Sequence, residues 1–123
     1  MSFLSAPGDT WREHPDEQPS VLAQFNMTGK VALVTGGCGW LGTAFSLALA
    51  EAGATVVVTS RDLDKAKEFA KTLPTPKGQA HAAVVLDHTE EASLKQGFSD
   101  AVQAAGRLDV LINNGHAGSG LDI

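Results

Sequence analysis

The residue types best suited to chemistry fall in one short stretch, Thr35-Gly36-Gly37-Cys38-Gly39-Trp40-Leu41-Gly42. Glycine at 36 permits a tight turn, Gly39 lets a ligand approach the backbone, and Gly42 lets a following helix pack close to the strand before it. Backbone amides freed at that helix start can face the linked phosphates of a dinucleotide, so Gly36, Gly37, Cys38, Gly39, Trp40 and Leu41 are the expected phosphate-binding residues. A mononucleotide loop instead needs a lysine directly after its last glycine, where this chain has Thr43. A second group lies about 20 residues further on, where a carboxylate would receive the ribose hydroxyls of NAD and an arginine would accommodate the 2′-phosphate of NADP. Here Thr59 is followed by Ser60 and Arg61, with no carboxylate before them. The fixed charge and planar fork of Arg61 suit a phosphate, so NADP is expected over NAD. The alternative leaves Arg61 as a solvated loop residue and Asp62 as a helix cap.

These groups need elements to hold them, and the pattern supplies an alternating set. Val31 to Val34 is a continuous apolar run, as expected of a strand covered on both faces. Trp40 to Ala52 reads as a helix, with Gly53 placed to end it in a left-handed conformation. Thr55 to Thr59 is a second strand. Asp62 can cap a helix whose Leu63, Ala66, Phe69, Ala70 and Leu73 recur at helical spacing until Pro74. Ala80 to Leu86 reads as a third strand, Thr89 as the cap of a third helix that Gly106 ends, and Leu108 to Ile112 as a fourth strand. Strands alternating with helices imply parallel pairing. The expected fold is α/β, an NAD(P)-binding Rossmann-like open parallel sheet of about four strands ordered 3-2-1-4.

GKVALVTGG at the first strand, Asp87-His88-Thr89 after the third, GRLDVLINN at the fourth, and the spacing between them resemble the short-chain dehydrogenase/reductase family from about Gly29 to the last residue. Single-domain members usually place their glycines as TGxxxGxG, whereas this chain has TGxxGxxG, with Trp40 at the middle-glycine position. That spacing is closer to the family's longer, sugar-nucleotide-modifying branch. Asn113-Asn114 nevertheless resembles the NNAG of the single-domain branch, which we favour. The resemblance implies that Asp87 bonds the adenine amino group with the His88 backbone nearby, and that Asn114 and Gly115 line the cleft beside the nicotinamide ribose. Gly115-His116 replaces the family's alanine and glycine, and Asn113 has a second reading as a tie between strands. The implied activity is hydride transfer between the cofactor and a carbonyl or alcohol carbon, with a Tyr-x-x-x-Lys pair and an upstream serine handling the proton.

No tyrosine occurs in the 123 residues, so no catalytic residue is assigned. The chain reads as the N-terminal cofactor-binding half of such an enzyme, inactive alone, needing a C-terminal half for its carbonyl or alcohol substrate. A binding or regulatory module that senses NADP(H) is the alternative. Missing later helices would leave Val31, Leu33, Val110 and Ile112 with cover on one face only, which predicts that the isolated chain self-associates or is only partly folded. Residues 1–28, with Pro7, Pro15 and Pro19, read as an extended arm that Trp11, Val21, Leu22 and Phe25 either dock or leave free; residues 29–123 form the domain.

Composition bounds the remaining classes. Nine Lys and Arg against 14 Asp and Glu give a net charge of −5, with 43% apolar residues, which suits one globular domain and gives no attraction for nucleic-acid backbones. No apolar run spans a bilayer, and no secretory leader is recognisable. The single cysteine, Cys38, forms no internal disulfide, which makes a cytoplasmic location the expectation. Cys38 reads as a thiolate-prone group at a helix start or as a small residue filling a tight loop, and Trp40 as a stacking surface or as packing for that helix. Neither His14, His81, His88 and His116 nor the lone cysteine has metal-ligand spacing, so no metal is expected.

Overall fold

Val31, Ala32, Leu33 and Val34 show no polar alternation, so their strand needs a covering layer on each face, and helical crossovers supply both. In the computed structural model, which describes residues 20–116, the elements run α1 (Val21–Gln24), β1 (Val31–Val34), α2 (Trp40–Glu51), β2 (Thr55–Ser60), α3 (Leu63–Thr72), β3 (Ala82–Val85), α4 (Glu91–Ala105) and β4 (Val110–Ile112). The four strands form one parallel sheet in the order β3-β2-β1-β4, as the sequence pattern predicts. Leu33 lies opposite Val57 on one side and Leu111 on the other.

Successive side chains separate into two apolar layers. Val34, Val56 and Val58 pack with Ala50 of α2 and with Ala66, Ala70 and Leu73 on the α3 side. Val31, Leu33, Val57 and Val84 pack with Ala101, Phe98 and Ala105 of α4. The change of face after β3 is what right-handed crossovers require once the chain reverses direction across the sheet. Burying Val56, Val57 and Val58 completely stabilises the fold by about 1.5–3 kcal/mol each. The helices can approach because they bury small residues one turn apart: Gly42, Ser46 and Ala50 in α2, Ala66 and Ala70 in α3, Gly97 and Ala101 in α4.

Helix ends follow local chemistry. Asp62 caps α3 by accepting the Lys65 amide at 3.2 Å, and Gly53 and Gly106 take the expected left-handed conformation at φ +100° and +83°. Thr89 departs from expectation. Its amide and hydroxyl both donate to Asp87 Oδ1, at 3.0 and 2.6 Å, so the cap position of α4 falls to Glu90, which makes no side-chain cap bond.

Two strands are shorter than their apolar runs, and at their starts side chains share the pairing with the backbone. Before β3, His81 Nδ1 accepts the Val56 amide at 3.0 Å while Nε2 lies 2.8 Å from the Pro74 carbonyl. Gln79 donates to the carbonyls of Ala50 and Ala54. Before β4, Asp109 Oδ2 accepts the Val31 amide at 2.9 Å.

Two further expectations need correction. The segment read as extended contains the helical turn α1, capped by Ser20 and too short to show a period; Val21, Leu22 and Phe25 are exposed, and Trp11 lies outside the described residues. The expected uncovered face is also smaller. Val31 and Leu33 are buried, because Leu108 joins α4 in covering them, and apolar exposure on the sheet falls on both edge strands, at Leu111 of β4 (45%) and Val85 of β3 (42%).

Candidate functional site

The turn after β1 is shaped by close backbone approach. A Cβ on Gly42 would overlap the Gly36 carbonyl, and Gly36 itself has φ +61°. The Gly39 amide donates back to the Gly36 carbonyl at 3.0 Å, and Gly39 occupies the cap position of α2 with no side chain to satisfy the helix start. Among the described residues, no backbone bond takes up the amides of Cys38, Trp40, Leu41 or Gly42. Four donors in sequence at the positive end of a helix form a cradle for an anion.

Thr35 joins this turn to the loop after β4. Its buried hydroxyl accepts the amides of Asn114 and Gly115, both at 2.9 Å, and lies 3.2 Å from the Ile112 carbonyl. The Asn114 side chain donates to the Gly36 carbonyl at 3.2 Å. The structural tie allowed for Asn113 thus belongs to Asn114. Gly115 lies close under His88, and a Cβ there would come within 2.9 Å of the imidazole, which would have to turn aside.

A cleft of about 640 Å³ opens at the carboxyl ends of the strands. It brings together eleven of the twelve residues named from the sequence: Gly36, Cys38, Gly39, Trp40, Leu41, Ser60, Arg61, Asp87, His88, Asn114 and Gly115. Gly37 is the exception. Its amide donates to the Thr59 carbonyl at 3.0 Å and its Cα packs over Val58, so it seats the turn on β2 and does not line the cleft. Trp40 does not pack the helix start, because its side chain is 94% exposed at the cleft rim.

Thr59, Lys65, Leu86, Thr89 and His116 also line the cleft and were not named from the sequence. Lys65 had a readable signal: it lies four residues beyond Arg61, in the first turn of the capped helix α3.

Charge is distributed unevenly around this space. Arg61 and Lys65 have no carboxylate within ion-pair distance among the described residues, and both are exposed. The Ser60 hydroxyl beside them accepts the Asp62 amide at 3.1 Å. Bonds from the Thr89 hydroxyl and then the Thr89 amide hold the Asp87 carboxyl below its usual range, with smaller pulls from Arg61 and His88. Burial pushes the Cys38 thiol up, and Lys65 and Ser60 only partly oppose it, so the loop-filling reading of Cys38 fits better than the thiolate reading. Among the described residues no three His, Cys, Asp or Glu side chains converge as a metal site would need, and no helix is long and apolar enough to cross a membrane.

Comparison with known proteins gives these features a context. The family model for short chain dehydrogenase matches residues 30–121. Human dehydrogenase/reductase SDR family member 1 is 39% identical over 93 residues, covering 75% of this chain and 29% of that protein. A 3-ketoacyl-(acyl-carrier-protein) reductase from Brucella melitensis, solved with NADH, is 34% identical and superposes with a TM-score of 0.66 over 75% of this chain and 36% of that one. A gluconate 5-dehydrogenase from Burkholderia cenocepacia, solved with NADP and tartrate, is 31% identical with a TM-score of 0.69, over 78% and 37% of the two chains. The matched part of the chain spans 29% to 37% of each of these proteins.

Proposed function

Because this chain belongs to the short-chain dehydrogenase family, we propose that its cleft is the cofactor-binding part of an oxidoreductase site and that it takes NADP in preference to NAD. The observation that carries the dinucleotide reading is the run of four unclaimed amides, Cys38, Trp40, Leu41 and Gly42, above a turn that leaves no room for a Cβ at Gly42. These donors fit a pyrophosphate, and the cleft has the size and the strand-end position usual for such ligands. The cofactor, when bound, supplies the hydride-transferring ring; the chain's part is to hold and orient it. Asp87 would accept from the adenine amino group. Asn114, fixed by Thr35 and Gly36, would position the backbone beside the nicotinamide ribose.

The preference for NADP rests on Arg61 and Ser60 standing where a ribose-binding carboxylate would favour NAD. The two solved relatives, one with NADH and one with NADP, leave that choice to the residues of this chain. Titration calorimetry with NADP⁺ and NAD⁺ tests it. Arg61→Ala should weaken NADP⁺ binding about tenfold or more and leave NAD⁺ unchanged, the loss of one charge-assisted contact. Equal affinity for both dinucleotides in the parent and in Arg61→Ala would end the proposal.

The family resemblance assigns the proton transfer to a tyrosine, and these 123 residues contain none. We infer that this polypeptide binds the cofactor in the cytoplasm and reduces a carbonyl, or oxidises an alcohol, only when the rest of a family domain is supplied. A cofactor-sensing module is the second reading, favoured by a cradle that is complete within 97 described residues, 20–116. Activity recovered on mixing with a polypeptide carrying the Tyr-x-x-x-Lys pair supports the first reading; binding without recoverable activity supports the second.

A further inference from the structure

We propose that the outer edge of β3, with the groove between it and α3, takes up the chain's own residues 8–14 as an added strand. This site lies apart from the cleft and shares no lining residue with it. β3 ends the sheet and is paired to β2 alone. The Leu86 amide donates to the Ser60 carbonyl of β2, and strand alternation then turns the amides of Ala83 and Val85 outward, where no strand pairs with them among the described residues. An edge of this kind is a template for an extended segment. Beside it lies a groove of about 350 Å³, with Ala70, Leu73 and Ala83 as apolar lining and Lys67 and Lys71 on the helix side. Lys67 is exposed and has no carboxylate within ion-pair distance among the described residues, while Lys71 reaches Glu68 at 3.6 Å with both side chains exposed.

Charge and reach assign the groove to the N-terminal segment, which lies outside the described residues. It carries Asp9, Glu13, Asp16 and Glu17 against Arg12, the sign that Lys67 and Lys71 attract. Between Pro7 and Pro15, the stretch Gly8-Asp9-Thr10-Trp11-Arg12-Glu13-His14 is free of proline, so every amide in it can enter a ladder. In an extended strand Asp9, Trp11 and Glu13 fall on one face, an aromatic ring between two carboxylates, to meet an apolar groove rimmed by two lysines. The chain enters the sheet at the same end. A Cβ on Gly53 would lie 2.8 Å from Thr28 Oγ1 and 3.2 Å from Lys77 Cγ, and Thr75, two residues before Lys77, lines the groove. The six residues from His14 to Ser20 reach up to about 20 Å, enough to retrace α1 to the Thr28 end of the groove. Because β3 runs away from that end and the segment must run toward it, the added strand is antiparallel to β3. Once in place it covers an edge that would otherwise invite a second copy.

The test reads Trp11 by fluorescence in the full chain carrying Trp40→Phe, which leaves Trp11 as the lone tryptophan. Its emission should be blue-shifted from that of free N-acetyltryptophanamide and shielded from acrylamide, and the Ala83 amide should be protected from hydrogen exchange. Lys67→Glu with Lys71→Glu, at two exposed positions of α3, should lower the docked-to-free ratio about tenfold by turning attractive pairs repulsive. Asp9→Lys with Glu13→Lys should do the same from the other side, and because these positions lie outside the described fold they keep the test independent of the stability of α3. All four substitutions together should restore the shielding. A Trp11 as open to acrylamide as the free indole overturns the proposal. So does shielding that survives both charge reversals, which seats the segment elsewhere, and shielding lost on dilution, which gives the groove to the segment of a second copy.

Discussion

The two walls of the cleft are made of different material. On the β1–α2 side the working groups are backbone amides, and side chains matter by being absent, at Gly36, Gly39 and Gly42. On the β2–α3 side the backbone is occupied in pairing and capping, and the working groups are the ends of Ser60, Arg61 and Lys65. The first wall cannot be altered without disturbing the path of the chain. The second can be rewritten one side chain at a time, which is how one fold could serve either dinucleotide. Substitutions in the first wall should therefore cost stability and binding together, and those in the second should change selectivity alone.

Gly42→Ala should break the first wall outright. Its methyl would overlap the Gly36 carbonyl and come within 2.8 Å of the Gly36 carbonyl carbon, and neither backbone atom can swing aside as a side-chain tip could. A loss of about 3 kcal/mol or more is expected in urea unfolding, with no residual affinity for either dinucleotide. A parental unfolding midpoint in this variant would show that the turn is soft and the contrast between walls mistaken. Thr35→Val should have the next largest effect. It removes one hydroxyl that serves Asn114, Gly115 and Ile112 at a position with almost no solvent access, for a cost of about 1–3 kcal/mol. Both dinucleotides should weaken by the same factor, since the change lies away from the 2′-phosphate; a selective loss of NADP⁺ would contradict that separation.

The same contrast explains what could be read from the sequence. Strand order, helix positions and the tight glycine turn after β1 were legible because each depends on local pattern: apolar runs, glycine spacing, Asp62 as a cap. Gly37 misled because its glycine serves a contact with Val58 that only the folded sheet creates. Thr89 was misread as a cap because its hydroxyl turns back to Asp87 two residues earlier, and of the two readings left open for Asn113 the tie is made one residue along, by Asn114. His116 comes to the cleft from the loop after β4 and shares no motif with it, whereas Lys65 was legible in principle from its place four residues beyond Arg61. Strand starts were overrun because His81, Gln79 and Asp109 complete the ladder with side chains, which apolar patterning does not register.

Asp109 offers a smaller test at the other end of β1. Arg107 donates to its Oδ1 through Nη2 at 2.6 Å and Nε at 3.1 Å, while the Val31 amide donates to Oδ2. The Arg107 bonds first, and the Val31 amide after them, hold this carboxyl below the ordinary range. The unfolded chain therefore binds the proton at higher pH than the folded one. The stabilisation is complete above the ordinary carboxylate range and is lost as pH falls through the lowered folded value. Asp109→Asn should flatten that acid-side loss in a pH series of thermal unfolding, without changing the NADP⁺ over NAD⁺ ratio at neutral pH. An unaltered acid profile would remove Asp109 as its source.

The smallest effect should come from beneath the first wall. Ser46 is fully buried on the face of α2 that meets the sheet, and its hydroxyl has no hydrogen-bond partner among the described residues. Gly42, Ser46 and Ala50 form one row there, so what the packing uses at position 46 is small size. Ser46→Ala keeps that size, removes an unsatisfied polar atom and improves helix propensity, for an expected gain of about 1 kcal/mol in urea unfolding. Affinity for both dinucleotides should be unchanged, because the substitution leaves the amides of Cys38 to Gly42 where they are. Paired with Gly42→Ala one turn earlier, it separates two demands on the same helix: a methyl is tolerated where α2 faces the sheet and excluded where α2 faces the turn. Destabilisation by Ser46→Ala would mean that the hydroxyl has an unrecognised acceptor, and that this face of the helix is held by polar contact and not by close packing alone.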